Sequence, residues 1–242
     1  MTIDARNERR CILVFLRSPQ PGRVKTRLAP CLPRLDVVRI YRAFVQDLLA
    51  TLDAAAVPVQ IWFCPARARG AIRRWLGPDR QYRAQSGNNL GQRMARAFST
   101  VFSQGIDRAV LVGSDLPDLP AQIIAQAFSL LESAGAVIGP GTDGGYYLIG
   151  FRAAGFAPEV FSGIEWGEEQ VLDQTLSKMA RKGIDCPLLP AWSDVDEPAD
   201  LQALAHRLLS GRTHAPRTAD FLRRKGMLEE TVVKPDRLCF DR

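Results

Sequence analysis

The 242-residue sequence is poor in histidine and lysine. Its two histidines, His206 and His214, fall in a helix-period segment and in the C-terminal stretch. Both read as surface residues, so no histidine enters the expected chemistry. The five cysteines (Cys11, Cys31, Cys64, Cys186, Cys239) are scattered and lack C-x-x-C spacing. That disfavours a disulfide framework or a zinc site and suits reduced thiols in a cytoplasm. There is no dense basic run, zinc-finger spacing or RNA-binding aromatic signature, so nucleic acid is not an expected partner. The G-x-x-x-x-G-K spacing of a Walker A loop is absent. The first apolar run, CILVFL, is too short for a signal-peptide core or a membrane span. The expectation is a cytoplasmic protein with no membrane partner. No internal repeat or low-complexity segment occurs.

What is present is an ordinary globular balance, 46% apolar and 24% charged. A chain of this length buries a substantial core unaided. The net charge is +6, and all but five of the 32 basic residues are arginine. Arginine's fork matches phosphate oxygens, although most of the excess reads as a surface bias. Strand-length apolar runs alternate with helix-period segments. CILVFL, VPVQIWFC, a weak strand near Tyr82, AVLVG, AVIGP and YYLIGF read as strands. Helices are expected over Asp36–Leu52, Arg67–Leu76, Asn89–Phe102, Ala121–Leu131, Glu168–Met179 and Pro198–Leu209. This alternation predicts an α/β fold, mostly parallel strands with helices on both faces and right-handed crossovers. Residues 1–10 read as an extension and 11–210 as one domain. Residues 211–242 read as a peripheral tail or helical appendage that could serve a homo-oligomer contact.

Ligands in open α/β sheets bind beyond the carboxyl ends of the strands, so the loops there carry the functional reading. After the first strand, Pro21-Gly22-Arg23-Val24-Lys25-Thr26-Arg27-Leu28 places three cations in a bendable loop suited to polyphosphate. Gln85-Ser86-Gly87-Asn88-Asn89 precedes the helix that carries Arg93, and its residues are also ordinary caps. In Val110–Pro120, Asp115 follows a strand directly. It either caps a turn or holds Mg²⁺ or Mn²⁺, whose preferred ligands are hard oxygens. Asp118 reads as a turn or cap residue. Asp143 lies among Gly141, Gly144 and Gly145, which allow close backbone approach. Asp194 and Asp196 alternate before a helix, so one can complete a metal site while the other caps. Trp62, Trp75 and Trp192 read as packing residues. Trp166, beside a loop, could close over a sugar.

The set P-G-R-V-K-T-R-L, L-G-Q-R-M, G-S-D-L-P-D-L, D-G-G-Y-Y-L-I-G and D-V-D-E-P-A-D-L spans about Cys11 to Leu209. It resembles the DUF2064 family, whose members are often described as arsenosugar-biosynthesis-type glycosyltransferases. These belong to the nucleotide-diphospho-sugar transferase (GT-A) superfamily. The resemblance implies a Rossmann-like GT-A sheet that binds a nucleotide over its first half. It implies a metal at Asp115 with Asp194 or Asp196 as second carboxylate, the cofactor being Mg²⁺ or Mn²⁺. Lys25 and Arg27 resemble the basic loop of nucleotidyltransferase relatives, including phospholactate guanylyltransferases. Gly22, Arg23, Thr26, Gly87, Asn89 and Arg93 complete the expected phosphate and nucleotide set. Asp143, Gly144, Gly145 and Tyr146, with Trp166, form the acceptor or sugar pocket. Asn88-Asn89 departs from the Gly-Asp usual in the family. The expected function is metal-dependent glycosyl transfer from an NDP-sugar to a small-molecule acceptor, with Asp143 as base. One alternative is nucleotidyl transfer, in which Lys25 and Arg27 hold the departing pyrophosphate. Another is a non-catalytic nucleotide- or sugar-phosphate-binding module.

Overall fold

The computed structural model describes residues 9–228. Six strands form one sheet: β1 (Arg10–Arg17), β2 (Val59–Cys64), β3 (Gln81–Ala84), β4 (Arg108–Gly113), β5 (Ala136–Pro140) and β6 (Tyr146–Arg152). Their order is β3-β2-β1-β4-β6-β5. The first four pair in parallel, while β6 runs antiparallel to both β4 and β5. This is the mostly parallel sheet expected from the alternation of elements. The central strand β1 is buried at every position from Cys11 to Leu16. That continuous apolar run is the mark of a strand covered on both faces. Ile12, Val14 and Leu16 enter one core layer, and Cys11, Leu13 and Phe15 the other.

One face is covered by α1 (Arg34–Ala54), α2 (Arg69–Leu76) and α4 (Ala121–Leu130). The other is covered by α3 (Leu90–Ser103) and α5 (Val171–Arg181). Helix α1 is apolar on two sides because it is sandwiched. Tyr41, Val45 and Leu48 face the sheet, whereas Val37, Ile40 and Phe44 face a third layer. That layer consists of α6 (Pro198–Leu209) and α7 (Pro216–Arg224), with Leu201, Leu204, Phe221 and Leu222 buried against α1. The Asp47 carboxylate of α1 accepts the first N–H groups of α7, from Arg217 at 3.1 Å and Thr218 at 2.8 Å. The stretch read as a peripheral tail or helical appendage thus supplies a docked helix, and its residues 229–242 lie outside the described residues. Helix α5 starts at Val171, not at Glu168, because the Leu172 N–H is spent on the Gly144 carbonyl at 2.9 Å. Among the described residues no helix is long and apolar enough to cross a membrane.

The strand order reverses between β1 and β4. From β1 the chain proceeds to β2 and β3 on one side, and β4 opens the other. In open α/β sheets such a switch point, at the carboxyl ends of the strands, is where ligands bind.

Candidate active site

At this switch point the loop after β1 crosses to the loop after β4. Lys25 adopts the left-handed conformation (φ 45°, ψ 45°) just before a 3-10 turn, Thr26–Leu28. That uncommon backbone turns its side chain inward, where only 3% of it is exposed. The ammonium lies 2.5 Å from Asp115 Oδ2 and 3.1 Å from Asp196 Oδ1. Burial pulls the Lys25 ammonium down, but Asp115, Asp196 and Asp194 more than offset this and leave its pKa raised. Arg27 reaches Asp196 Oδ2 and Glu197 Oε1, each at 3.2 Å. Arg23, exposed with Gly22 and Thr26, turns outward from the same loop.

The second oxygen of Asp115 is fixed from the opposite side. Ser114 Oγ donates to Asp115 Oδ1 at 3.0 Å and stands 3.1 Å from the Tyr41 hydroxyl. The single Tyr41 hydroxyl proton has two acceptors in reach, the Arg17 carbonyl at 3.2 Å and Ser114 Oγ. The Tyr41 hydroxyl also accepts the Arg17 N–H at 3.0 Å, tying the ends of β1 and β4 together. In the sequence Tyr41 reads only as one apolar position of the helix expected over Asp36–Leu52, and three- and four-residue spacing gives no sign of the hydroxyl's role.

Asp143 sits in the turn before β6, with Oδ1 accepting the Gly145 N–H at 3.0 Å. Gly144 has φ 82°, and a Cβ there would stand 2.0 Å from the Glu169 carbonyl, so only glycine fits. Asp194 belongs to the extended segment before α6. Its neighbour Val195 donates to the Asp115 carbonyl at 3.0 Å, and Trp192 donates to the Pro140 carbonyl at 3.0 Å. Asp115, Asp143 and Asp194 thereby line one cavity of about 110 Å³, walled by Tyr146, Tyr147 and Trp192. Burial pushes the Asp194 carboxyl up to about 6. Asp115, Asp143 and Asp196 add to that rise, against the opposing pull of Lys25.

Asp196 is turned to Lys25 and Arg27 and does not line this cavity. Nor does it cap α6. Glu197 is the cap residue, and Asp200 reaches back to the N–H groups of Glu197 at 2.8 Å and Asp196 at 3.0 Å. Asp118 sits in a turn, closed by the Leu119 N–H on the Leu116 carbonyl at 3.3 Å, but it does not cap α4, which begins without a side-chain cap. Its fully buried carboxylate takes the Trp192 indole N–H at 3.3 Å and Arg207 Nε at 2.8 Å. Trp192 packs against the core, as read, and also forms a wall of the cavity.

On the β2–β3 side, Asn89 caps α3 through the Gln92 N–H at 2.9 Å, and Gln92 returns a bond to the Asn88 N–H at 2.9 Å. Arg93 Nε donates to the Gly87 carbonyl at 3.1 Å. Trp166 does not line the acid cavity. It packs against Gly91, where a Cβ would stand 2.8 Å from its ring, and meets Tyr146 edge-on at 6.4 Å.

The rim is therefore divided by charge. Exposed Arg17 ends β1, and exposed Arg23 and Arg67 follow β1 and β2, while Asp115, Asp143, Asp194 and Asp196 gather on the β4–β6 side. Among the described residues no three Asp, Glu, His or Cys side chains form a ready-made metal cluster. The donor set nonetheless fits Mg²⁺ or Mn²⁺ of the kind held by one or two carboxylates, with ligand phosphates completing the shell. Asp115, Asp143 and Asp194 supply such carboxylate oxygens to one cavity.

Sequence comparison matches residues 47–168 to the family described as "Uncharacterized protein conserved in bacteria (DUF2064)". No curated protein matches the sequence. The crystal structure of a candidate nucleotide-diphospho-sugar transferase from Desulfovibrio desulfuricans G20 is similar, at 41% identity and TM-score 0.86. The match covers 91% of this chain and 96% of that one. A cytidylyltransferase from Leptospira borgpetersenii shares the fold at 13% identity and TM-score 0.55, over 93% of this chain and 99% of its own. CMP:2-keto-3-deoxy-manno-octonic acid synthetase, solved with CTP, does so at 14% and 0.53, over 84% and 99%.

Proposed function

The chain belongs to the DUF2064 family of bacterial proteins, and from that premise we propose that it is a metal-dependent transferase acting on a nucleotide-activated donor. The reaction best supported is glycosyl transfer from an NDP-sugar to a small-molecule acceptor. The observation that carries this reading is the divided rim at the β1/β4 switch point. Outward-facing arginines suit a donor diphosphate, and the acid-lined, aromatic-walled cavity suits a hydroxyl-bearing acceptor. The Desulfovibrio protein, named a candidate nucleotide-diphospho-sugar transferase, agrees with it.

In this reading Arg23 and Arg93 meet the diphosphate from the loop after β1 and the start of α3, beside Gly22, Thr26, Gly87 and the cap at Asn89. Asp115 and Asp194 hold the divalent ion, which when bound supplies positive charge against the leaving diphosphate. Lys25 acts as an internal countercharge that keeps Asp115 and Asp196 in place, with Arg27 closing the outer side of Asp196. Asp143, its Oδ1 fixed by the Gly145 N–H, offers Oδ2 to the acceptor hydroxyl. The proton passes to that carboxylate as the acceptor oxygen bonds to the anomeric carbon. The bond from that carbon to the diphosphate oxygen breaks, and the nucleoside diphosphate leaves. Gly144 and Gly145 shape the turn, and Tyr146 stands at the cavity wall.

Nucleotidyl transfer is the second reading, favoured by the basic loop and by a fold shared with cytidylyltransferases. Against it, Lys25 and Arg27 direct their charges to Asp115, Asp196 and Glu197. Calorimetry with a panel of NDP-sugars and NTPs, with and without Mn²⁺, separates the two. Mn²⁺-dependent binding of an NDP-sugar and slow release of free nucleoside diphosphate is the expected result. Pyrophosphate release from an NTP would transfer the assignment to nucleotidyl transfer, and binding without turnover would leave a module.

A further inference from the structure

Asp118 stands outside the reaction just described, yet it is a fully buried carboxylate. Burying such a charge costs several kcal/mol, and an apolar pair of similar volume often serves stability as well or better. Its two oxygens reach partners 74 and 89 residues away: Trp192 Nε1 at 3.3 Å and Arg207 Nε at 2.8 Å. Trp192 is a wall of the acid cavity, and Asp194 follows two residues later. The segment around them has no regular secondary structure. It is pinned by Leu189 to the Ile138 carbonyl, Trp192 to Pro140, Val195 to Asp115, and the Tyr147 hydroxyl to the Pro190 carbonyl. Among these pins, Asp118 holds the Trp192 ring.

We propose that Asp118 is a positioning residue. Its buried carboxylate, balanced by Arg207, fixes Trp192 and thereby sets the Asp194-bearing segment opposite Asp115. This rests on the cavity's reading as the metal-bearing half of a transferase site. It goes beyond that reading by assigning a role to a residue that touches neither ligand. Outer partners that orient metal ligands typically change affinity by about 10- to 100-fold when removed.

The test uses full-length protein labelled with 5-fluorotryptophan, whose four tryptophans give four fluorine resonances, that of Trp192 identified by Trp192→Phe. In Asp118→Asn the Trp192 resonance alone should shift and broaden, and Mn²⁺ affinity should fall about ten-fold. Hydrogen exchange at the Trp192 and Val195 amides should quicken. Should Asp118→Asn not fold, Asp118→Asn/Arg207→Gln removes the stranded guanidinium and is read in the same way. An unmoved Trp192 resonance with unchanged exchange overturns the proposal, as does an equal disturbance of all four tryptophans. If the wild type binds no Mn²⁺, the metal reading fails by itself, and the fluorine and exchange data still decide the role of Asp118.

Discussion

At the scale of single residues, the site is defined by carboxylates gathered around one buried ammonium. Lys25 is one buried ammonium between Asp115 and Asp196, with Asp194 close enough to feel both. Removing one partner of a buried pair leaves the other uncompensated. Lys25→Met should therefore destabilise the protein by about 2 kcal/mol, less than for a fully sealed pair because Asp115 and Asp196 keep some solvent. Urea unfolding at neutral pH measures it, and no loss would mean that the ammonium contributes nothing net. The same crowding predicts a response to added metal. A ligand at 100 times its Kd stabilises the native state by about 2.7 kcal/mol. Mn²⁺ should raise the melting temperature of the wild type, and Asp194→Asn should abolish most of that rise. An equal rise in both proteins would remove Asp194 from the metal set.

At the scale of elements, α3 and α1 show what packing adds to pattern. Gly91 reads in sequence as a helix weakness, yet a Cβ there would stand 2.6 Å from the Phe161 carbonyl and 2.8 Å from the Trp166 ring. Gly91→Ala gains helix propensity of up to about 1 kcal/mol but forces the Trp166 loop outward, at about 1–3 kcal/mol. A net fall in melting temperature is expected, and a net rise would show that the loop yields freely. On α1, Asp36 is held by Lys225 at 2.6 Å and Arg39 at 2.9 Å, and these two cations keep its carboxyl below the usual range. A depressed folded-state value means stability that is complete above the unfolded pKa of about 3.9 and lost as pH falls. The stability gap between wild type and Asp36→Asn should thus hold at pH 6–8 and begin to narrow only as pH falls below about 4. A gap that does not narrow at all as pH is lowered from 6 toward 2 would place its origin elsewhere. The elements themselves were legible, because strand runs and helical spacing are local. The partners of Asp47, Asp118 and Tyr41 were not, since each acts on residues far along the chain or on another layer.

At the scale of the whole molecule, the acids at Asp115, Asp143 and Asp194 were legible because loops after strands meet at a switch point whatever their distance in sequence. Which acid faced the cavity was not legible, since alternation along Asp194-Val195-Asp196 puts both on one side and cannot say which meets Lys25. The third layer was equally hidden. Helix α1 shows apolar residues on two sides, and only the docking of α6 and α7 explains the second. Leu222 is fully buried in that layer, with Phe221, Leu204 and Ile40 in the same cluster. Truncating such a leucine costs about 2–5 kcal/mol, a large share of a typical domain's stability of about 5–15 kcal/mol. Yet Leu222 packs on the side of α1 that faces away from Tyr41 and the sheet. Leu222→Ala should therefore lower the urea midpoint sharply while leaving Mn²⁺ affinity, measured well below that midpoint, within about two-fold. A matching loss of Mn²⁺ affinity would mean that the outer layer and the switch-point site share one deformable unit, joined through Leu28 and Val195, which lie in the same buried cluster as Leu222.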